Sequence, residues 1–180
     1  MLKTHCKFIL LLMVLFLSIF AKAQNAKIGL GADAGFPSGN FSGVSSIGVG
    51  ASLKAEFPIA SEFAITVNGG FINFFGKRNY LLNIQDLTYA PVKGGLKYNI
   101  SETFYAEGQL GAALSLNNKQ KTLFAWSPGL GNLFKLSGKN MIDLSIRYEG
   151  WTGKNENLIF LNTSNTKGFL GIRFAYVFML

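Results

Sequence analysis

Apolar and polar residues alternate along most of this chain, and the stretch from residue 169 to residue 180 shows the pattern most clearly. Its large apolar side chains lie at every second position, namely Leu170, Ile172, Phe174, Tyr176 and Phe178. The positions between them carry mostly small residues and the charge of Arg173. A repeat of two predicts a β-strand, because successive side chains point to opposite faces. A strand with lipid on one face and a polar lumen on the other requires this arrangement.

The same alternation continues along the chain and predicts eight strands in all, including this one. We expect them at about 26–35, 46–57, 63–74, 87–98, 104–114, 122–134, 141–151 and 169–180. The connections after strands two, four and six are short, and the other connections are longer. Proline cannot donate to a strand ladder, so we expect a bulge at Pro91. The last long connection is predicted to hold a strand extension at 158–161.

Aromatic residues flank the short turns, where we expect one edge of a membrane. They are Phe57, Phe63, Tyr98, Phe104 and Phe134, with Phe178 in the last strand. Aromatic rings are common in strands, which explains any one of them but not the repeated placement. Trp126 and Trp151 lie near the opposite strand ends, and we interpret them as anchors at the second interface. The pattern predicts an all-β, antiparallel, up-and-down transmembrane barrel of eight strands.

Residues 1–23 have the features of a secretory signal peptide. Lys3 and Lys7 precede an apolar run at 8–20, and residues 21–23 form an A-x-A cleavage site. The run is shorter than the roughly 17–25 residues that a membrane-spanning helix needs. We therefore expect a cleaved signal peptide, which precedes a barrel domain at 24–180 with no periplasmic domain after it.

The amino-acid composition limits which catalytic and metal-binding groups the chain can supply. The only histidine and the only cysteine, His5 and Cys6, lie in the predicted signal peptide. The remaining chain has no histidine base, no disulfide and no soft metal ligand. Ser52 and Lys54 share a strand face, but any two residues at this spacing do so. We expect no enzyme, no metal and no cofactor, and the modest net charge of +8 favours no nucleic-acid partner.

The lumen-facing positions of the predicted strands hold five acidic and five basic residues. They are Asp33, Lys54, Glu56, Lys93, Lys97, Glu107, Asp143, Arg147, Glu149 and Arg173. An eight-stranded barrel is just wide enough for side chains to fill it, and unpaired buried charges are costly. These residues are expected to form either a salt-bridge plug or a gated, narrow polar pathway.

Several segments resemble the small outer-membrane β-barrel families of the OmpA, OmpX and OmpW type. They are residues 92–98, 104–111 and 147–151, together with the final strand. The resemblance implies a barrel in the cell outer membrane, in contact with its lipid. Phe174, Tyr176 and Phe178 resemble the C-terminal sorting signal of such barrels, which implies assembly by the barrel-assembly machinery.

Two functions agree with this sequence. The first is a monomeric barrel that stabilises the envelope or presents its loops for interaction. Its basic loop residues could contact lipopolysaccharide phosphates; they are Lys77, Arg78, Lys119, Lys121, Lys154 and Lys167. The alternative is an OmpW-like conduit for small hydrophobic molecules, which opens sideways where Pro91 and Pro128 interrupt the ladders. A soluble, lipocalin-like barrel is a third interpretation.

Overall fold

A computed structural model describes residues 26–79, 82–117, 121–136, 138–153 and 166–180. The predicted signal peptide and the predicted extension at 158–161 lie outside these ranges. Over the described ranges, no helix is long and apolar enough to cross a membrane.

Eight antiparallel strands form a closed barrel. They are β1 (Lys27–Ser38), β2 (Ser45–Pro58), β3 (Phe63–Gly76), β4 (Leu87–Asn99), β5 (Phe104–Ser115), β6 (Leu123–Lys135), β7 (Met141–Thr152) and β8 (Thr166–Met179). Each strand pairs with the next, and β1 closes the barrel by pairing with β8 from Lys27↔Met179 to Ser38↔Gly168. The predicted fold class is confirmed.

Two small elements lie at the end of the barrel that carries the long loops. A 3-10 helix at Gly39–Gly43 follows β1, and the strands Arg78–Asn79 and Leu82–Asn83 pair in a short hairpin after β3. The opposite end carries the three short turns and the Lys27↔Met179 end of the β1–β8 pairing. The structure therefore has a short-turn end and a loop end.

The outer face of the wall is apolar. Along β1, Leu30 is 59% exposed, whereas the side chain of Asp33 points inward and is buried. The same alternation continues around the barrel, so the exposed face consists largely of Leu, Ile, Val, Phe and Tyr. An apolar outer band around a polar interior is the arrangement of a membrane-spanning barrel and the reverse of a soluble protein.

One predicted side-chain direction is wrong. Strict alternation along the second strand predicts that Ser46 faces inward with Lys54 and Glu56, but its side chain is exposed and its hydroxyl donates to the carbonyl of Phe75 at 3.2 Å. A register shift between Ser45 and Gly48 causes the change, because the extra residue of a bulge reverses the alternation. Ser45 takes the buried position instead.

The predicted bulge at Pro91 is also absent. The pairs Gly69↔Val92 and Ile72↔Tyr89 keep one register on either side of Pro91, although the two pairs between them are missing from the ladder. Pro91 thus interrupts the β3–β4 ladder without adding a residue. This agrees with its lack of an N–H donor.

Candidate functional site

The centre of the lumen holds an ion-pair network around Lys54. The Lys54 ammonium lies 3.3 Å from a carboxylate oxygen of Glu107 and 3.0 Å from one of Asp143. Arg173 reaches the same Asp143 oxygen at 3.1 Å, and the Tyr105 hydroxyl donates to the other oxygen of Asp143 at 2.6 Å. Five side chains from four strands are therefore joined across the lumen.

Glycines on β1 make the space that Arg173 occupies. A Cβ added to Gly31 would lie 2.7 Å from the Cβ of Ala175 and 3.1 Å from the guanidinium carbon of Arg173. Arg173 also donates to the backbone carbonyl of Gly29 at 3.0 Å and to the hydroxyl of Ser52 at 2.9 Å. A larger residue at position 31 would displace the arginine.

A second group of charges lies towards the short-turn end. Glu56 accepts from Lys97 at 2.7 Å and from Lys27 at 3.3 Å. The fully buried Lys97 ammonium also lies 4.1 Å from the ring centroid of Tyr105, a cation–π distance. Lys27 was not among the predicted lumen charges, although the alternation of β1 places it on the same face as Asp33.

A third group lies towards the loop end and centres on Glu149. Arg147 bridges Asp33 at 2.5 Å and Glu149 at 2.7 Å, and Lys93 forms an ion pair with Glu149. Glu149 also accepts a hydrogen bond from the indole N–H of Trp151 at 3.0 Å. With this group, all ten residues selected from the sequence lie in the lumen, and each has an oppositely charged partner.

Little space is left between these side chains. Two small cavities remain inside the described part of the barrel, with volumes of about 10 and 20 Å³. A cavity of this size holds roughly one water molecule. Buried polar atoms without a protein partner belong to the residues that line them: Gln109 and Ser127 in one, Asp33 and Asn68 in the other. The cavities therefore suit single bound waters, not a continuous channel.

An aromatic cluster fills the lumen above Glu149, at the loop end. Its rings are those of Phe41, Phe74, Tyr89, Trp151 and Phe169, all of them buried. Successive ring centroids lie 4.9 Å apart for Phe41–Phe74, 4.8 Å for Phe74–Phe169 and 4.9 Å for Phe169–Trp151. Edge-to-face packing at these distances is favourable. The interior thus changes from ionic to aromatic along the barrel axis.

Solved outer-membrane barrels share this fold at low sequence identity. OprG from Pseudomonas aeruginosa has a TM-score of 0.56 at 13% identity, over 88% of this chain and 97% of that chain. AlkL, solved in lipid bilayers, gives 0.55 at 15% identity over 87% and 90%. Neisserial surface protein A gives 0.54 at 12% identity over 86% and 96%. No family model and no curated protein matches the chain. This chain has the fold of the small eight-stranded outer-membrane β-barrels.

Trp151 is not an interface anchor of this barrel, although the sequence predicted one. It is 1% exposed and belongs to the aromatic cluster of the lumen. Its position in the alternation of β7 already placed it on the inner face, and residue type alone suggested the interface. Trp126 does lie on the outer side, where its ring packs against Tyr148 at 5.7 Å. Phe41 was assigned to a loop, and no periodicity indicates its insertion.

The predicted basic loop residues do not form one group in the described structure. Lys77 and Lys121 are exposed near the loop end, and Lys121 makes contacts of its own. Lys167 is half-buried within β8 and not in a loop, because pairing with β7 extends as far as Thr166. The side chain of Arg78 and the residues Lys119 and Lys154 lie outside the described part of the chain.

The outer wall of the barrel carries a groove of about 660 Å³. Apolar side chains of β4, β6, β7 and β8 form its sides, and the small residues Gly108, Pro128 and Gly129 form part of its lining. The β6–β7 ladder is interrupted beside it, because two pairs are missing between Trp126↔Gly150 and Gly129↔Arg147. The groove therefore lies next to a break in the β6–β7 ladder at Pro128.

Proposed function

We propose that this protein is a closed barrel of the outer membrane, with a structural or surface-interaction role. The ion pairs that fill its lumen are the observation that carries the proposal. They occupy the short-turn end, the centre and the region around Glu149, and the aromatic cluster lies beyond Glu149 at the loop end. The cavities between them are too small for more than isolated waters.

The energetics favour a permanently filled lumen. A buried charge that loses its partner costs about 3–5 kcal/mol. A pathway through the centre would have to separate Lys54 and Arg173 from Asp143 together, since both cations contact one carboxylate. A gated, narrow polar pathway is therefore the less favourable of the two roles that we considered for these charges.

Conductance in planar bilayers tests this proposal. The wild-type barrel should give no stable openings. The variant Arg173→Ala removes a long side chain from the space beside Gly29 and Gly31, and it should raise the leak current. Stable wild-type openings of uniform size would contradict the closed barrel, provided that heat-modifiable gel migration shows both proteins to be folded.

We further propose that the functional surfaces are the outer band and the loops. The outer band contacts membrane lipid, and the exposed amines of Lys77 and Lys121 suit phosphate groups such as those of lipopolysaccharide. No enzymatic role is proposed, because no histidine or cysteine follows residue 6. Binding of fluorescent lipopolysaccharide to vesicle-embedded barrel, compared with a Lys77→Gln variant, tests the loop contact.

A sideways conduit for small hydrophobic molecules is the second candidate, and the interrupted β6–β7 ladder beside Pro128 favours it. The outer groove and the smaller lumen cavity share lining residues at this point. They are Glu107, Gly129, Leu130, Ile146 and Arg147. Only these side chains and the interrupted β6–β7 ladder separate the lumen from the lipid.

A disulfide across the interrupted ladder tests the conduit. The flanking pairs place Pro128 opposite Tyr148, so Pro128→Cys with Tyr148→Cys can be oxidised to close the gap. If molecules pass here, oxidation should lower the uptake of a hydrophobic dye into vesicles, and reduction should restore it. The single variant Pro128→Cys is the control. Equal uptake under both conditions would exclude this route.

A further inference from the structure

One ring of the aromatic cluster does not come from a barrel strand. Phe74, Tyr89, Trp151 and Phe169 all project from barrel strands. Phe41 instead comes from the 3-10 helix of the first loop and enters the cluster from outside, yet it is only 3% exposed. It packs against Phe74 at 4.9 Å and lies 6.5 Å from Phe169.

The segment that carries Phe41 is closed mainly on itself. The hydroxyl of Ser42 donates to the carbonyl of Gly39 at 2.7 Å, and the N–H of Val44 donates to the carbonyl of Phe41 at 3.2 Å. Gly39 has a φ of +54°, and open space surrounds both Gly39 and Gly43. The N–H of Lys77 holds the end of the segment by donating to the carbonyl of Val44 at 3.0 Å. The residues before Val44 can lift from the barrel mouth without breaking a strand ladder.

One polar atom inside the cluster has no partner. Tyr89 is fully buried and its hydroxyl makes no hydrogen bond, although its ring packs 5.1 Å from that of Trp151. Leaving a buried hydroxyl without a hydrogen bond is unfavourable. A phenylalanine would fill the same space without this cost. The hydroxyl is therefore a group that a bound molecule could satisfy.

We propose that the aromatic cluster is a binding site for a flat aromatic molecule with one hydrogen-bonding group, and that Phe41 occupies the site in the absence of this ligand. The ligand ring takes the place of the Phe41 ring against Phe74, and its polar group pairs with the Tyr89 hydroxyl. Apolar cavities of on the order of 150 Å³ bind benzene, so a vacated ring position is a sufficient site. The site lies above the charge network and does not depend on whether the lumen conducts.

Quenching of Trp151 fluorescence by bromobenzene and 4-bromophenol tests the proposal, because a bromine atom quenches a nearby indole. The chain has two tryptophans, so the variant Trp126→Phe leaves Trp151 as the only reporter. Quenching in this background should saturate. Adding Phe41→Ala should tighten binding at least about tenfold, because the competing ring is gone and the open state no longer has to be populated first. Adding Tyr89→Phe should weaken 4-bromophenol severalfold and leave bromobenzene unchanged.

Two controls separate the site from general partition into lipid. The variant Trp151→Phe leaves Trp126 on the outer wall, where quenching should rise without saturation. Phe71→Ala removes a ring that is exposed on the outer face and should not change the affinity at Trp151. If heat-modifiable migration shows that Phe41→Ala does not fold, Phe41→Leu replaces it. Its expected affinity lies between that of the protein with Phe41 and that predicted for Phe41→Ala.

Two results would overturn the site as a whole, and a third would overturn its hydrogen bond to Tyr89. Saturation that appears only after Phe41 is replaced would make Phe41 a fixed core residue of the native barrel. An absence of saturation in every folded variant would exclude the site. An unchanged affinity of 4-bromophenol in Tyr89→Phe would overturn the assigned hydrogen bond. None of these results depends on the conductance of the barrel, so the closed lumen and the ligand site can fail separately.

Discussion

Glu149 is the residue at which the ion-pair network meets the aromatic cluster. Its carboxylate interacts with Lys93 and Arg147 on one side and accepts the indole N–H of Trp151 on the other. The side chain is 2% exposed, so water does not compensate for a lost partner. Lys93 pairs with this acid, and Arg147 pairs with it and with Asp33, so we expect the upper lumen to be sensitive to its loss.

We predict that Glu149→Gln destabilises the barrel by about 3–5 kcal/mol, because Lys93 loses its counter-charge while remaining buried and Arg147 keeps only Asp33. Urea unfolding in detergent micelles, followed by gel migration, measures the change. The control is Glu102→Gln in a short turn. Glu102 is 86% exposed at its side chain, and a hydrogen bond from Lys135 lowers the pKa of its carboxyl. The control should unfold like the wild type, and equal effects of the two substitutions would contradict the importance of burial.

Strict alternation explains why side-chain directions could be predicted from the sequence, and local exceptions explain the errors. The position of Arg173 inside the barrel follows from its neighbours on the same strand, since no other feature is needed to place it. Ser46 was misplaced because a bulge has no periodic signal. Trp151 was misassigned because its residue type was given more weight than its position. Phe41 could not be found, because loop residues follow no repeat.

At the scale of the elements, the strand ladders differ in continuity. β1 and β8 pair at every position from Lys27↔Met179 to Ser38↔Gly168. The β6–β7 ladder lacks two pairs between Trp126↔Gly150 and Gly129↔Arg147, next to Pro128. The sequence indicated the interruptions correctly through proline, but it could not distinguish a missing pair from an inserted residue. Strand ends were predicted to within a few residues, because polar residues extend a ladder after the apolar alternation ends.

We predict that the backbone amides of β7 opposite Pro128, at Tyr148 and Glu149, exchange with deuterium faster than amides at equal depth in β8. Fewer ladder pairs lower the free energy of local opening. Hydrogen exchange of the vesicle-embedded barrel, read by NMR, measures the difference. The amides of β8 that face the continuous β1 ladder serve as the reference. Equal protection would mean that the interruption does not weaken the wall, and the sideways conduit would lose its main support.

At the scale of the whole molecule, two environments follow one another along the barrel axis, inside a single apolar outer band. Ion pairs fill the lumen from the short-turn end to Glu149, and aromatic rings fill the loop end. The last strand contributes to all of them, since Arg173 and Phe169 point inward while Phe174, Tyr176 and Phe178 face outward. The outward residues support no lumen contact. The alternating aromatic residues Phe174, Tyr176 and Phe178 are therefore available for recognition during assembly, before the barrel is complete.

We predict that Phe178→Ala lowers the amount of barrel assembled in the outer membrane of cells and leaves refolding of the purified protein into detergent unchanged. The Phe178 ring is 47% exposed and packs on its neighbour Tyr176 at 4.7 Å, so the finished barrel loses little when it is removed. Heat-modifiable protein in envelope fractions measures assembly, and the same gel measures refolding. The control is Phe71→Ala, which removes a similarly exposed ring from the outer face of β3. If both substitutions reduce assembly equally, the cause is the loss of lipid-facing apolar area, and Phe178 has no specific part in sorting.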